Sequence, residues 1–131
     1  MDEMLKYLED VKFGKYLKKL NKKLKGKTIV VYGSGLMFQK AKANYDLSQL
    51  NIIGISDRKY SLEQEGEMDL GYKIIPITKI SEYKPDCILI ATQTFLSILD
   101  DFKNNRFRNE NICILPLVDK PFLTLLNEIF G

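Results

Sequence analysis

Through the first 25 positions, apolar residues recur at a spacing of three and four. Beyond that they occur as short, nearly continuous apolar runs. Leu5 and Leu8 form one set, and Phe13, Leu17, Leu20 and Leu24 a second. This periodicity predicts helices over 3–12 and 14–25. Gly14 is expected to mark the break between them and Gly26 the stop. The later runs read as five strands, at 28–32, 52–56, 71–76, 87–91 and 111–115. The fourth run, Cys87-Ile88-Leu89-Ile90-Ala91, is apolar throughout, as suits a parallel strand covered on both faces. Pro76 cannot donate to a ladder, which puts the third strand at a sheet edge. Helices are predicted over 36–47, 77–83, 95–104 and 122–130, with Thr94 capping the third and Pro121 opening the last. Leu123, Leu126 and Phe130 would face the body or a partner.

Strands alternating with helices predict an α/β domain of three layers. Right-handed crossovers give a parallel five-stranded sheet of order 3-2-1-4-5. Residues 1–26 form a helical extension packed on a body of residues 27–131. The polar, acidic stretch 62–67 reads as a flexible loop able to cover a ligand.

Composition narrows the chemistry more than the fold. The chain has 131 residues and no histidine. That removes the usual general base near neutral pH and the Ser-His and Cys-His nucleophile pairs. Cys87 and Cys113 both fall in predicted interior strands and read as reduced, buried thiols of a cytoplasmic protein. Their spacing fits no zinc pattern. No apolar run reaches the ~18 residues of a membrane span, and the acidic start followed by helical patterning is not that of a signal peptide. Residues 1–27 hold nine lysines against four acidic residues. No aromatic residues interleave the lysine side of these helices as stacking platforms would, so the lysines read as a solvated helix face rather than a nucleic-acid or membrane surface.

The candidate site is the turn after the first strand, Gly33-Ser34-Gly35-Leu36. A glycine turn from a strand into a helix leaves the main chain open to a phosphate, which meets unpaired N–H groups and the positive end of the helix dipole. Asp57 follows the second strand, where an acidic residue would grip a ribose diol. Arg58 comes next and would meet a further phosphate. Its competing reading makes Asp57 a turn cap. Thr92 and Gln93, after the fourth strand, complete the expected cleft at the switch point of the sheet. Phe38 stands where the dinucleotide fingerprint G-x-G-x-x-G has its third glycine.

The ordered segments IVVYGSG, IIGISDR, GYKIIPI and CILIATQ resemble the small Rossmann-like domains of bacterial surface-polysaccharide enzymes, over about residues 27–116. Such domains accompany nucleotide-sugar epimerases and dehydratases, UDP-amino-sugar acetyltransferases, and sugar methyl- and glycosyltransferases. In the acetyltransferases the matching turn and acidic position hold the uridine nucleotide, and the catalytic histidine lies in another domain. The resemblance therefore implies binding roles for Gly33, Ser34, Gly35, Asp57 and Arg58, and it carries over no catalytic residue. Phe38 departs from the NAD pattern more than from the nucleotide-sugar one.

The leading expectation is a nucleotide or nucleotide-sugar binding domain of sugar metabolism, taking a UDP-sugar or NAD(P), without a catalytic centre. It would work with a catalytic partner domain or as a homodimer. A second reading is a small NAD(P)-dependent epimerase, dehydratase or oxidoreductase domain, although no Tyr-x-x-x-Lys pair follows the fourth strand. A third is a degenerate interaction module in which Leu36 and Phe38 fill the ligand's space.

Overall fold

The computed structural model describes residues 2–119. The helix expected over 122–130, with Pro121, lies outside them.

Two helices open the described chain, α1 (Glu3–Asp10) and α2 (Phe13–Lys23). Asp2 caps α1, its carboxylate accepting from the Leu5 N–H at 3.0 Å. The break between the helices falls at Val11 and Lys12, not at Gly14. Lys12 adopts the left-handed conformation, with φ of 58°. Gly14 lies inside α2, where a Cβ would touch the Tyr45 ring at 3.5 Å. It provides room for that ring, and no turn is required of it.

Four strands form the main sheet: β1 (Thr28–Tyr32), β2 (Asn51–Ser56), β5 (Cys87–Ile90) and β6 (Cys113–Pro116). They run parallel in the order β2-β1-β5-β6. Three further helices follow in sequence, α3 (Leu36–Asn44), α4 (Ile80–Tyr83) and α5 (Phe95–Asp101). A short π-helical segment over Phe102–Arg106 prolongs α5. No side-chain bond from Thr94 caps α5.

Alternation along the strands divides the core in two. Ile29, Val31, Cys87 and Leu89 pack with Leu8, Phe13, Leu17, Leu20, Phe38 and Ala41 from α1, α2 and α3. Val30, Tyr32, Ile88 and Ile90 pack with Ile80, Phe102 and Phe107 on the other face. Helices thus cover both sides, and α1 and α2 share one core with β1 and β5.

The expected third strand is corrected. Residues 68–73 instead form an antiparallel hairpin, β3 (Met68–Asp69) with β4 (Tyr72–Lys73). Its turn residues Leu70 and Gly71 both have positive φ, 51° and 82°, the geometry of a tight type I′ connection. These residues spend their backbone bonds on each other. The backbone pairing with β2 comes from Ile74 and Ile75, through one parallel bridge from Ile74 to Ile55 and a 2.9 Å bond from Ile75 N–H to the Ile55 carbonyl. The acidic stretch before the hairpin is also structured. Leu62–Gln64 is a 3-10 turn closed by a Ser61–Gln64 capping box.

Gly54 makes the approach of this segment possible. A Cβ there would stand 2.9 Å from the Lys73 carbonyl oxygen and inside the Ile75 side chain. The β1–β2 ladder shifts register just before it, with Val30 opposite Gly54 and Ile53 left over as a bulge. Gly54→Ala should therefore overpack the sheet edge and cost about 1–3 kcal/mol. Urea denaturation against the unmutated chain measures it.

At the amino ends of the middle strands, the Asp86 carboxylate accepts from Thr28 N–H at 2.8 Å and Thr28 Oγ1 at 3.2 Å. Asp86 N–H in turn donates to Thr28 Oγ1 at 3.0 Å. This reciprocal clamp pins the start of β1 against the start of β5.

Candidate functional site

The carboxyl ends of β1 and β5 meet at Gly33. Its φ is 114°, and a Cβ would stand 2.8 Å from the Ala91 carbonyl oxygen. Gly33 is thus required by the close passage of the chain leaving β5, which brings Thr92 and Gln93 beside the turn. Gly35 is different. Its φ of −80° and ψ of −159° suit any residue, and a Cβ there would meet nothing within 4 Å. Packing alone does not account for the bare main chain at Gly35.

Gly35 is also the N-cap of α3, and no side chain caps that helix. Its first turn carries no acidic residue. The first N–H groups of a helix lack intrahelical partners. Here they open on a cavity of about 230 Å³ lined by Gly33, Gly35, Leu36, Asp57, Thr92 and Gln93. Met37, Ala91 and Met4 complete its wall.

Six of the eight expected site residues therefore line one cavity. Ser34 is buried beneath it. Its N–H donates to Asp57 Oδ2 at 2.8 Å and its hydroxyl to the same oxygen at 2.9 Å. Asp57 Oδ1 accepts from Lys59 N–H at 3.1 Å. Asp57 accordingly holds the glycine turn in shape, as the turn-cap reading requires, while keeping one edge on the cavity. Arg58 points elsewhere. It lines a second cavity of about 370 Å³ with Tyr32, Ser97, Ile98, Asp101 and Arg106, so the expectation that it shares a cleft with Asp57 is corrected. Consecutive residues leaving a strand point to opposite faces, which separates the two.

Leu36 stands at the cavity rim, 53% exposed. Phe38 is buried in the core, tilted against the Tyr72 ring at 5.8 Å, and is not among the cavity's lining residues. Met4 is the wall residue that sequence patterning misses. It arrives on α1, which Asp2 ties to α3 through an ion pair with Lys40, and no local signal announces that docking.

Burial pushes the Asp57 carboxyl up, but the bonds from Ser34 and Lys59 outweigh it and hold the pKa below the ordinary 3.8. A depressed folded-state pKa contributes stability above the unfolded value, and that stability is lost as pH falls through the folded one. Asp57→Asn should cost about 1.5–3 kcal/mol at neutral pH. The gap between variant and parent should close as pH falls below the ordinary carboxylate range. Thermal melts over an acid pH series measure it.

The tyrosines near the site keep their protons at neutral pH. Burial, helped by a 2.6 Å bond to Asp69, pushes the Tyr60 phenol up to about 12, and burial raises Tyr32 as well. Among the described residues no group of three or more His, Cys, Asp or Glu side chains is placed to hold a metal. None of the described helices is long and apolar enough to cross a membrane.

A family model described as C2185-like, N-terminal, matches residues 25–113. The chain belongs to this C2185-like N-terminal family. The match spans β1, the glycine turn, Asp57 and the Thr92-Gln93 corner, so every expected site residue lies within it; Met4 lies before it. No curated protein and no solved structure significantly matches this C2185-like chain. Cys113, expected to be interior, is exposed on β6, the last strand of the sheet among the described residues.

Proposed function

We propose that this C2185-like domain is a Rossmann-like ligand-binding domain that takes the phosphate groups of a nucleotide or nucleotide sugar at the tip of α3. The supporting observation is the uncapped, acid-free start of α3, open on a cavity at the switch point of the sheet. Backbone N–H groups and the helix dipole attract an anion there without a side-chain cation. The bare Gly35 admits it at main-chain distance.

The cavity's volume of about 230 Å³ is below the ~300 Å³ typical of sites that enclose a whole small ligand. A phosphate or diphosphate fits inside. The nucleoside would lie across the strand ends toward Asp57, with the exposed Leu36 beneath its apolar surface. Asp57 keeps acceptor capacity for a ribose hydroxyl, since Oδ1 receives a single hydrogen bond from the protein. The chain's own groups bind and orient in this reading. With no histidine and with neutral tyrosines, chemistry on the ligand falls to a partner domain or subunit in sugar metabolism.

The test separates binding from folding. Gly35→Asp places a good N-cap on α3, so thermal stability should hold or rise, while its carboxylate occupies the amides and repels phosphate. Isothermal titration with UDP, a UDP-sugar, NAD and NADP should show binding to the parent chain and none to the variant. Silence from all four with the parent chain, or equal binding by both proteins, would reject the reading.

A further inference from the structure

At the opposite, amino-terminal edge of the sheet, β5 and β6 run parallel with Cys87 directly opposite Cys113. Register partners project from the same face, so the two thiols stand side by side. Both line one cavity of about 270 Å³, walled by Lys23 and Leu24 at the end of α2 and by Lys27. Cys87 is buried and Cys113 exposed, so one sulfur is screened and the other is open to solvent. Asp86 shares the cavity, but its carboxylate is engaged by Thr28.

Neighbouring strands lie ~4.8 Å apart, which brings the two side chains within reach of one bridging atom. One metal ion held in line by two thiolates, at roughly 2.3 Å per bond, spans about 4.6 Å. Two sulfurs without nitrogen or free carboxylate ligands suit a soft, thiophilic ion. Two thiolates and a monovalent cation carry one net negative charge, which Lys23 and Lys27 are placed to balance.

We propose that Cys87 and Cys113 form a two-thiolate site for one soft monovalent metal ion of the copper(I) class. The ion enters on the Cys113 side. Each S–H bond is replaced by a sulfur–metal bond, two protons pass to solvent per ion bound, and no oxidation state changes. This site is independent of the glycine-turn site and of any nucleotide.

Anaerobic titration of the reduced full chain with copper(I), against a chromophoric copper(I) chelator, tests it. One ion per chain should bind, with two sulfur neighbours by X-ray absorption. Cys113→Ser, at an exposed position, should fold normally by circular dichroism and lose the site. Cys87→Ala should lose it too, and its fold is checked in the same way. No competition with the chelator, equal binding by Cys113→Ser, or one ion shared between two chains would each overturn the proposal.

Discussion

Gly33→Ala is expected to be the most damaging single substitution at the turn, at about 2–6 kcal/mol. Two costs combine. A φ of 114° is strained for any residue with a Cβ, by about 1–3 kcal/mol. The added carbon also stands 2.8 Å from the Ala91 carbonyl oxygen and 3.0 Å from Thr92 Cγ2, an overpacking worth a further ~1–3 kcal/mol. The neighbour is backbone that has just left β5, and it cannot yield without disturbing the β1–β5 ladder. A domain's whole stability is about 5–15 kcal/mol, so much of it would go. Gly35→Ala, two residues on, should cost under ~1 kcal/mol, because its φ is ordinary and its Cβ meets nothing. Urea denaturation of the two variants side by side gives the contrast directly.

Phe13→Ala carries the second large effect, about 3–5 kcal/mol. Phe13 is completely buried and meets the Tyr45 ring edge-on at 4.7 Å. Through it α2 is locked to the chain leaving α3, within the core that also holds Ile29, Val31 and Leu89. The substitution therefore reads whether the first two helices are an attached extension or part of the body's own core. The latter predicts that one cooperative transition moves as a whole to lower urea. A loss below about 1 kcal/mol, or a separate early transition, would mark the helices as detachable.

The sequence reveals the middle of this molecule better than its edges. β1 and β5 are continuous apolar runs, and their burial on both faces follows from that. The start of α3 is legible because a glycine turn follows a strand. The third strand misleads for a definite reason. Leu70 takes a left-handed conformation that propensity assigns to glycine or asparagine, so Tyr72 and Lys73 turn back on Met68 and Asp69. The bulge at Ile53 is equally silent, since its local pattern is that of an ordinary strand. At the site, the Ser34–Asp57 bond makes the acidic residue serve the turn, and strand alternation sends Arg58 to the opposite side. Cys113 reads as interior because its run is apolar, but burial at a sheet's edge depends on what lies alongside. Met4 reaches the cavity through tertiary docking, and no window of sequence reports that.

The Thr28–Asp86 clamp has a bearing on how the chain assembles. Its partners are 58 residues apart, and closing so long a loop carries an entropic cost before any contact repays it. On the ribosome, β1 emerges early and finds β2 first, with its other edge unsatisfied until residues 86–90 have left the exit tunnel. The half-built sheet carries its most adhesive strand open on one side for that interval, and the order of synthesis sets when this exposure ends.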